Sequence, residues 1–173
     1  MFSWGSGQYG ALGFGDTNDV SAPKLLEIDI GITQQVQKVA CGKMHSMCLT
    51  TKKQVFTWGQ GCYGKLGHGN EDDYFQPKEV STLTNLRTID ISAGDAHSAA
   101  ITQNKRLYIW GNGFYGRLGT GFELKEVLPI CVEDMTDKDI VKVSCGAFHT
   151  LCLTSEGIVW AFGHGKHGKL GLK

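Results

Sequence analysis

Two clusters of cysteine and histidine have the residue types and spacing of half a zinc site. They share the pattern Cys-x3-His-x2-Cys, and a third segment keeps the histidine but has alanine at both cysteine positions. In chain order the positions are Cys41, His45 and Cys48, then Ala93, His97 and Ala100, then Cys145, His149 and Cys152. Thiolate and imidazole are good zinc ligands, but exchange for alanine is typical of a small buried residue. We therefore predict no metal site, and expect each histidine to bridge neighbouring backbone through hydrogen bonds.

A glycine pattern of the form GxGxxG occurs four times, at 5–10, 59–64, 111–116 and 163–168. In dinucleotide-binding proteins such a loop lets a pyrophosphate approach the start of a helix. Each copy here is followed one residue later by Leu-Gly and opens no helical pattern, so we predict no nucleotide or other cofactor. The histidines in these loops are expected to face solvent; they are His68, His164 and His167. Since no histidine belongs to a Ser/His/Asp or Cys/His triad, the chain is predicted not to be an enzyme.

The glycine pattern belongs to a ten-residue word that recurs along the chain. Successive copies begin 54, 52 and 52 residues apart, at Trp4, Trp58, Trp110 and Phe162. A second word, Gly-x-x-His, recurs every 52 residues and begins at Gly42, Gly94 and Gly146. A period near fifty residues is typical of a repeat architecture. We interpret both words as structural, and divide the chain into repeats 4–57, 58–109 and 110–161 with a partial repeat 162–173.

Within a repeat, short apolar segments alternate with polar turns, and no pattern favours a helix longer than one turn. Strands are predicted at 37–40, 46–50, 55–58, 77–80 and 127–132 and at the corresponding positions of the other copies. Four short strands in about 52 residues are typical of a propeller blade. The sequence therefore predicts an all-β fold, a partial β-propeller of three to four blades of short antiparallel strands. Counted in order, these blades would hold two, four, four and three strands.

The words WGxGxYGxLG and GxxHSxxLT at this spacing resemble those of the regulator-of-chromosome-condensation repeat family across essentially the whole chain. The resemblance implies a seven-bladed β-propeller, of which about 3.3 repeats are present. An open arc of blades would leave sheet edges unpaired, which soluble proteins avoid. We therefore expect the chain to be a stretch of a longer protein, or the remaining blades to come from another chain.

Composition and charge limit the classes of partner and compartment. The 173 residues include 17 basic and 17 acidic side chains, so net charge gives no reason to expect a nucleic-acid partner. No apolar run approaches the roughly 20 residues that a membrane span needs. Six cysteines and no Asn-x-Ser/Thr acceptor favour a reducing compartment, the cytoplasm or the nucleus.

Recognition of a partner is expected in the loops that follow each glycine word, because variable loops on a rigid frame commonly carry binding. Aromatic residues beside charges suit a protein interface. The candidate partner-binding residues are Asp72, Asp73, Tyr74, Phe75, Phe122, Glu123 and Lys125. We interpret the chain as a non-catalytic protein-interaction scaffold. The family resemblance implies an alternative, part of a guanine-nucleotide exchange factor or regulator for a small GTPase, although no repeat carries an inserted segment.

Overall fold

Short strands joined by tight turns make up the fold. The structure, a computed structural model, describes residues 1–29 and 35–172. Its strands there are β1 (Phe2–Gly5), β2 (Val20–Leu25), β3 (Val36–Cys41), β4 (His45–Thr50), β5 (Val55–Gly59), β6 (Tyr74–Glu79), β7 (Thr88–Ala93), β8 (His97–Thr102), β9 (Leu107–Gly111), β10 (Glu126–Cys131), β11 (Ile140–Cys145), β12 (His149–Thr154) and β13 (Val159–Gly163). The helices of the described residues are single 3₁₀ turns, Gln8–Gly10, Cys62–Gly64, Ser81–Leu83, Phe114–Gly116, Glu133–Met135 and Lys166–Gly168. In the described ranges no helix is long and apolar enough to cross a membrane.

The strands form four antiparallel sheets that follow one another along the chain. Each strand is hydrogen-bonded to its sequence neighbour within its sheet, in the groups β1–β2, β3 to β6, β7 to β10 and β11 to β13. These sheets of two, four, four and three strands confirm the all-β fold and the predicted strand pattern.

The hydrophobic core lies between successive sheets. Side chains alternate across a strand, so Val55 packs toward the third sheet while Phe56 and Trp58 pack toward the first. The cluster between the second and third sheets contains Met47, Leu49, Val55, Val80, Leu83, Ile91, Ala100 and Trp110. The cluster between the third and fourth contains Ala99, Ile101, Leu107, Ile109, Leu118, Val132, Met135, Ile140, Val143 and Cys152. Each inner sheet is thus stabilised by burial on both of its faces.

The fourth strand of each complete sheet begins earlier than the sequence predicts. A start at Pro77 is predicted, whereas β6 begins at Tyr74, and β10 begins at Glu126 rather than at 127. The cause in β6 is a bulge: Tyr74 pairs with Gly59, and the register then shifts before Lys78 pairs with Thr57. A bulge adds residues that break the two-residue alternation, so the first part of the strand has no periodic signal.

Antiparallel order places the connections on two opposite faces. One, the glycine face, carries the glycine-word loops 6–19, 60–73 and 112–125 and the turns 42–44, 94–96 and 146–148. Backbone hydrogen bonds join these two sets, from Gln60 N to Met44 O and from Asn112 N to Ala96 O, both 2.8 Å. The other, the turn face, carries 51–54, 80–87, 103–106, 132–139 and 155–158. Every candidate partner-binding residue follows a glycine word, on the glycine face or at the start of the outer strand.

Candidate interaction surface

The glycine words close into tight turns that place an aromatic or imidazole ring on the glycine face. The ring-bearing residue has a left-handed backbone with φ of 58° to 63° in all four copies, at Tyr9, Tyr63, Tyr115 and His167. Such a conformation is uncommon for a residue with a Cβ, and it persists only where the surrounding contacts fix it.

The second glycine of the word is required where the two arms of the loop touch. A Cβ on Gly61 would lie 1.9 Å from the carbonyl oxygen of Asp72. The backbone N–H of Gly61 donates to Asp73 Oδ1 over 2.8 Å, as Gly7 does to Asp19 Oδ1 over 2.9 Å. Asp73, predicted to contact a partner, therefore holds its own loop closed.

A hydrogen-bonded relay joins the second sheet to the third. Ser98 Oγ donates to the carbonyl of Lys65 over 2.8 Å, and Trp110 Nε1 donates to the same carbonyl over 2.9 Å. His45 Nε2 lies 2.8 Å from Ser98 Oγ. Since a hydroxyl has one proton and that of Ser98 is used, Nε2 must be the donor. The histidine thus bonds a hydroxyl of the next sheet, and that hydroxyl bonds backbone in turn. The predicted bridge to backbone therefore runs through a side chain of the next sheet.

The next interface repeats the relay with one change. His97 Nε2 lies 2.8 Å from Thr150 Oγ1, which donates to the carbonyl of Arg117 over 2.8 Å. Phe162 occupies the position of Trp110 and has no N–H to add. Burial lowers the pKa of both His45 and His97 to about 3, with the nearby Lys65 and Arg117 charges respectively adding to the effect. Both imidazoles are therefore neutral at pH 7.

His68 differs from the solvent-facing position predicted for it. Its Nε2 lies 3.0 Å from Thr57 Oγ1, and its ring packs edge-on against Tyr74 with centroids 4.8 Å apart. Burial lowers its pKa to about 4. His167 is exposed, while His164 is half-buried and its ring packs at a tilt against Tyr115, with centroids 4.5 Å apart.

The cysteines are free thiols, and several are held in their protonated form. Burial raises the pKa of Cys48, Cys145 and Cys152 to about 12, whereas Cys41 is exposed. A protonated thiol is a poor metal ligand and a poor nucleophile. Within 1–29 and 35–172, no three His, Cys, Asp or Glu side chains converge where they could hold a metal ion.

Two of the candidate partner-binding residues in the second sheet, Tyr74 and Phe75, contact other residues of the domain. The hydroxyl of Tyr74 accepts from Asn70 Nδ2 and from Lys78 Nζ. Phe75 packs against Gly10, where a Cβ would lie 2.4 Å from its ring. Asp72 is exposed.

The loop of the third sheet is the more open one. Phe122 is 68% exposed and Leu124 is 67% exposed, and Glu123 between them is exposed too. Lys125 Nζ forms an ion pair with Glu71 of the preceding loop, which joins the two loops at the surface. Leu124 was not among the predicted partner-binding residues. It could have been predicted, because it is an apolar residue between the charged residues of 122–126.

A cavity of about 490 Å³ opens on the glycine face between the loops of the second and third sheets. We call it the cationic cavity, because Lys43, Lys65 and Arg117 line it together with Tyr63, Tyr115 and Phe148. These basic residues were not among the predicted site residues. A signal was present, since the residue before Leu-Gly is basic in three of the four words, as Lys65, Arg117 and Lys169.

Comparison with known families agrees with the fold. The model of the RCC1-like domain matches residues 1–173. This chain belongs to the RCC1-like domain family. The resemblance found in the repeated words is thereby confirmed.

Similar proteins include longer proteins of two kinds. The RCC1-like domain is 38% identical over 175 residues to the human E3 ubiquitin-protein ligase HERC2. The match covers 99% of this chain and 4% of HERC2. It is 36% identical over 172 residues to the ultraviolet-B receptor UVR8 of Arabidopsis thaliana, covering 99% of this chain and 39% of UVR8. The chain therefore spans well under half the length of these relatives.

Among solved structures, the RCC1-like domain resembles Prp20p of Saccharomyces cerevisiae, a protein studied for its binding to Gsp1p and histones. The TM-score is 0.81 at 27% identity, covering 99% of this chain and 43% of Prp20p. The four sheets are accordingly blades of a propeller arc.

Proposed function

We propose that this RCC1-like domain is a non-catalytic protein-interaction module of a larger protein or assembly, and that it binds its partner through the glycine face. The observation that supports the proposal is a difference in burial between two sets of residues. Four of the recurring histidines and tryptophans are buried in contacts between blades: His45, His97, Trp58 and Trp110. The loop residues that differ from blade to blade, above all Phe122 and Leu124, are exposed.

The third-sheet loop is the strongest candidate within this face. Exposed apolar side chains flanked by charges have the composition of an interface rather than of an ordinary surface turn. The ion pair between Lys125 and Glu71 links this loop to the second-sheet loop. The two loops would therefore present Asp72, Phe122 and Glu123 as one surface.

A second candidate function is regulation of a small GTPase, as part of an exchange factor. The likeness to Prp20p, which has binding properties to Gsp1p and histones, favours it. The connecting loops of the repeats have nearly the same length. None of them therefore contains an inserted segment that would act on a nucleotide-binding partner.

The remaining blades of the ring would come from the same polypeptide or from another chain, in keeping with the greater length of the relatives. A reducing compartment, cytoplasm or nucleus, is supported by six cysteines that are all free thiols. The balanced net charge supports a protein partner over a nucleic acid.

The test is affinity capture with the full chain as bait, with captured proteins quantified by mass spectrometry. Phe122→Ser combined with Leu124→Ser should remove a stoichiometric partner that the unmodified chain retains. Ile158→Ser is the matched control, because Ile158 is an exposed apolar residue on the turn face.

Equal recovery with the loop variant and the control, or no stoichiometric partner at all, would contradict binding through the glycine face. Capture of a small GTPase only after its nucleotide has been removed would favour the exchange-factor candidate instead. Capture that is indifferent to nucleotide would favour the scaffold.

A further inference from the structure

Two buried basic side chains of the cationic cavity form no salt bridge with any residue that the structure describes. Lys65 and Arg117 occupy the same position in successive glycine words, and each is 2% exposed. A buried charge is costly unless it is paired. In the part of the chain that the structure describes, neither lies within salt-bridge distance of a carboxylate, while four other lysines do.

The contacts of Lys65 satisfy its ammonium group incompletely. Its Nζ lies 2.6 Å from Gln60 Oε1 and 3.2 Å from Cys62 Sγ, both of which are uncharged acceptors. An ammonium has three protons to donate. At least one of these protons therefore has no partner among the described residues, and Lys65 lines the cationic cavity.

Arg117 is fixed in place by backbone carbonyls rather than by an acid. Its Nε donates to Phe114 O over 2.9 Å, and its Nη1 donates to Ala147 O of the fourth sheet over 3.0 Å. The guanidinium lies 4.9 Å from the centroid of the Phe148 ring. Burial lowers the pKa of Arg117, yet an arginine stays protonated in proteins. Among the described residues its Nη2 donates to no acceptor, so a positioned pair of N–H groups is available to a ligand.

The whole lining carries an excess of positive charge. Lys43 is exposed at the edge of the cavity, and Asp95 is the acidic residue among the described lining residues. Three cations facing one carboxylate favour an anionic ligand, and closely spaced like charges in a concave site strengthen that preference.

We propose that the cationic cavity binds the glutamate or aspartate side chains of an acidic segment of a protein partner. This inference rests on the proposed protein-interaction function and names the chemistry of one part of the partner. The three cations belong to three different connections, the turn 42–44 and two successive glycine loops, so they match several carboxylates along a peptide better than one small anion. A volume of about 490 Å³ is within the roughly 300–1,000 Å³ of ordinary ligand sites, and Tyr63, Tyr115 and Phe148 would pack on the intervening residues.

The experiment is fluorescence anisotropy with the full chain and a fluorescein-labelled decapeptide of alternating glutamate and alanine. A peptide with glutamine in place of glutamate is the ligand control. Lys43→Glu should weaken binding at least about tenfold, because it reverses a charge at the edge of the cavity. Asp95→Asn should strengthen binding by about two- to fivefold, because it removes the acidic side chain found among the described lining residues. Lys52→Glu on the turn face is the matched charge reversal and should change the affinity less than about twofold.

These variants avoid Lys65 and Arg117, whose removal would disturb the fold, and thermal melts of each variant confirm that it is folded. Absence of saturable peptide binding, equal binding of the glutamine peptide, or equal weakening by Lys52→Glu and Lys43→Glu would overturn the proposal. So would saturable binding of inorganic phosphate without binding of the peptide. If the acidic peptide fails while partner capture still depends on Phe122 and Leu124, the cavity proposal alone is wrong and the interaction function stands.

Discussion

At the scale of single residues, the recurring tryptophan has very different surroundings in different copies. Trp110 is 0% exposed and donates from Nε1 to the carbonyl of Lys65. Trp4 begins the first word and is 57% exposed. The energetic role of a repeated residue therefore depends on whether a neighbouring sheet covers it.

Replacing Trp110 should destabilise the domain strongly. We expect Trp110→Ala to lower the free energy of unfolding by about 3–5 kcal/mol, since it removes a fully buried aromatic ring and leaves a cavity. Trp4→Ala, the same change at the same position of an exposed copy, should cost less than about 1 kcal/mol. Denaturant melts measure both. A loss below about 1 kcal/mol for Trp110→Ala would show that this side chain is not part of the core.

Residue roles that depend on one contact could not be predicted from the sequence. The spacing identified His45 as structural, but not that Ser98 rather than backbone accepts its proton. His68 was assigned to solvent because it lies in a glycine loop, and its contact with Thr57 depends on how that loop folds back. The burial of Lys65 and Arg117 could not be predicted for a similar reason. A basic residue in a loop is normally solvated, and these two are buried only because neighbouring blades pack together.

At the scale of elements, the glycine-word loop offers a comparison at one position. Gly61 and Gly165 have nearly the same backbone conformation, with φ of −92° and −84°. A Cβ on Gly61 would lie 1.9 Å from Asp72 O, while a Cβ on Gly165 would meet Leu170 Cδ1 at 3.5 Å, an ordinary contact. The same substitution should therefore have opposite outcomes in the two loops.

We expect Gly61→Ala to lower the free energy of unfolding by about 1–3 kcal/mol, because the second loop must open to admit the methyl group. Gly165→Ala should leave stability unchanged or raise it by up to about 1 kcal/mol, since alanine restricts the unfolded chain. Chemical denaturation of the two variants side by side measures the difference. Equal effects would mean that the loop arms do not touch as described.

Elements were predictable to the extent that their pattern repeats. The three inner strands of each blade carry the two words and alternate cleanly, so their positions were predicted to within a residue or two. The outer strands begin with a bulge in which Tyr74 pairs with Gly59, and no alternation indicates where such a strand starts.

At the scale of the whole molecule, the blades are joined by neutral histidines buried between sheets. His45 links the second sheet to the third, and His97 links the third to the fourth. Their Nδ1 atoms are buried and have no hydrogen-bond partner among the described residues, so a second proton would have no acceptor. We therefore expect these recurring histidines to act structurally, by holding neighbouring blades together in their neutral form.

The dependence of stability on pH is a direct consequence of these buried neutral histidines. The pKa of each histidine is about 3 in the folded state and about 6.5 when unfolded. The unfolded chain therefore binds protons first, and stability present above pH 6.5 is lost as the pH falls toward 3. Between pH 7 and pH 5, each of the two histidines should therefore lower the free energy of unfolding by about 2 kcal/mol. His68 acts in the same direction.

The measurement is the free energy of unfolding, from denaturant titrations at pH 7 and pH 5, for the unmodified chain and for His97→Gln. We predict a fall of about 4 kcal/mol or more for the unmodified chain, and a fall smaller by about 2 kcal/mol for the variant. A change below about 1 kcal/mol in the unmodified chain, or the same change in the variant, would show that His97 is not held neutral between the blades.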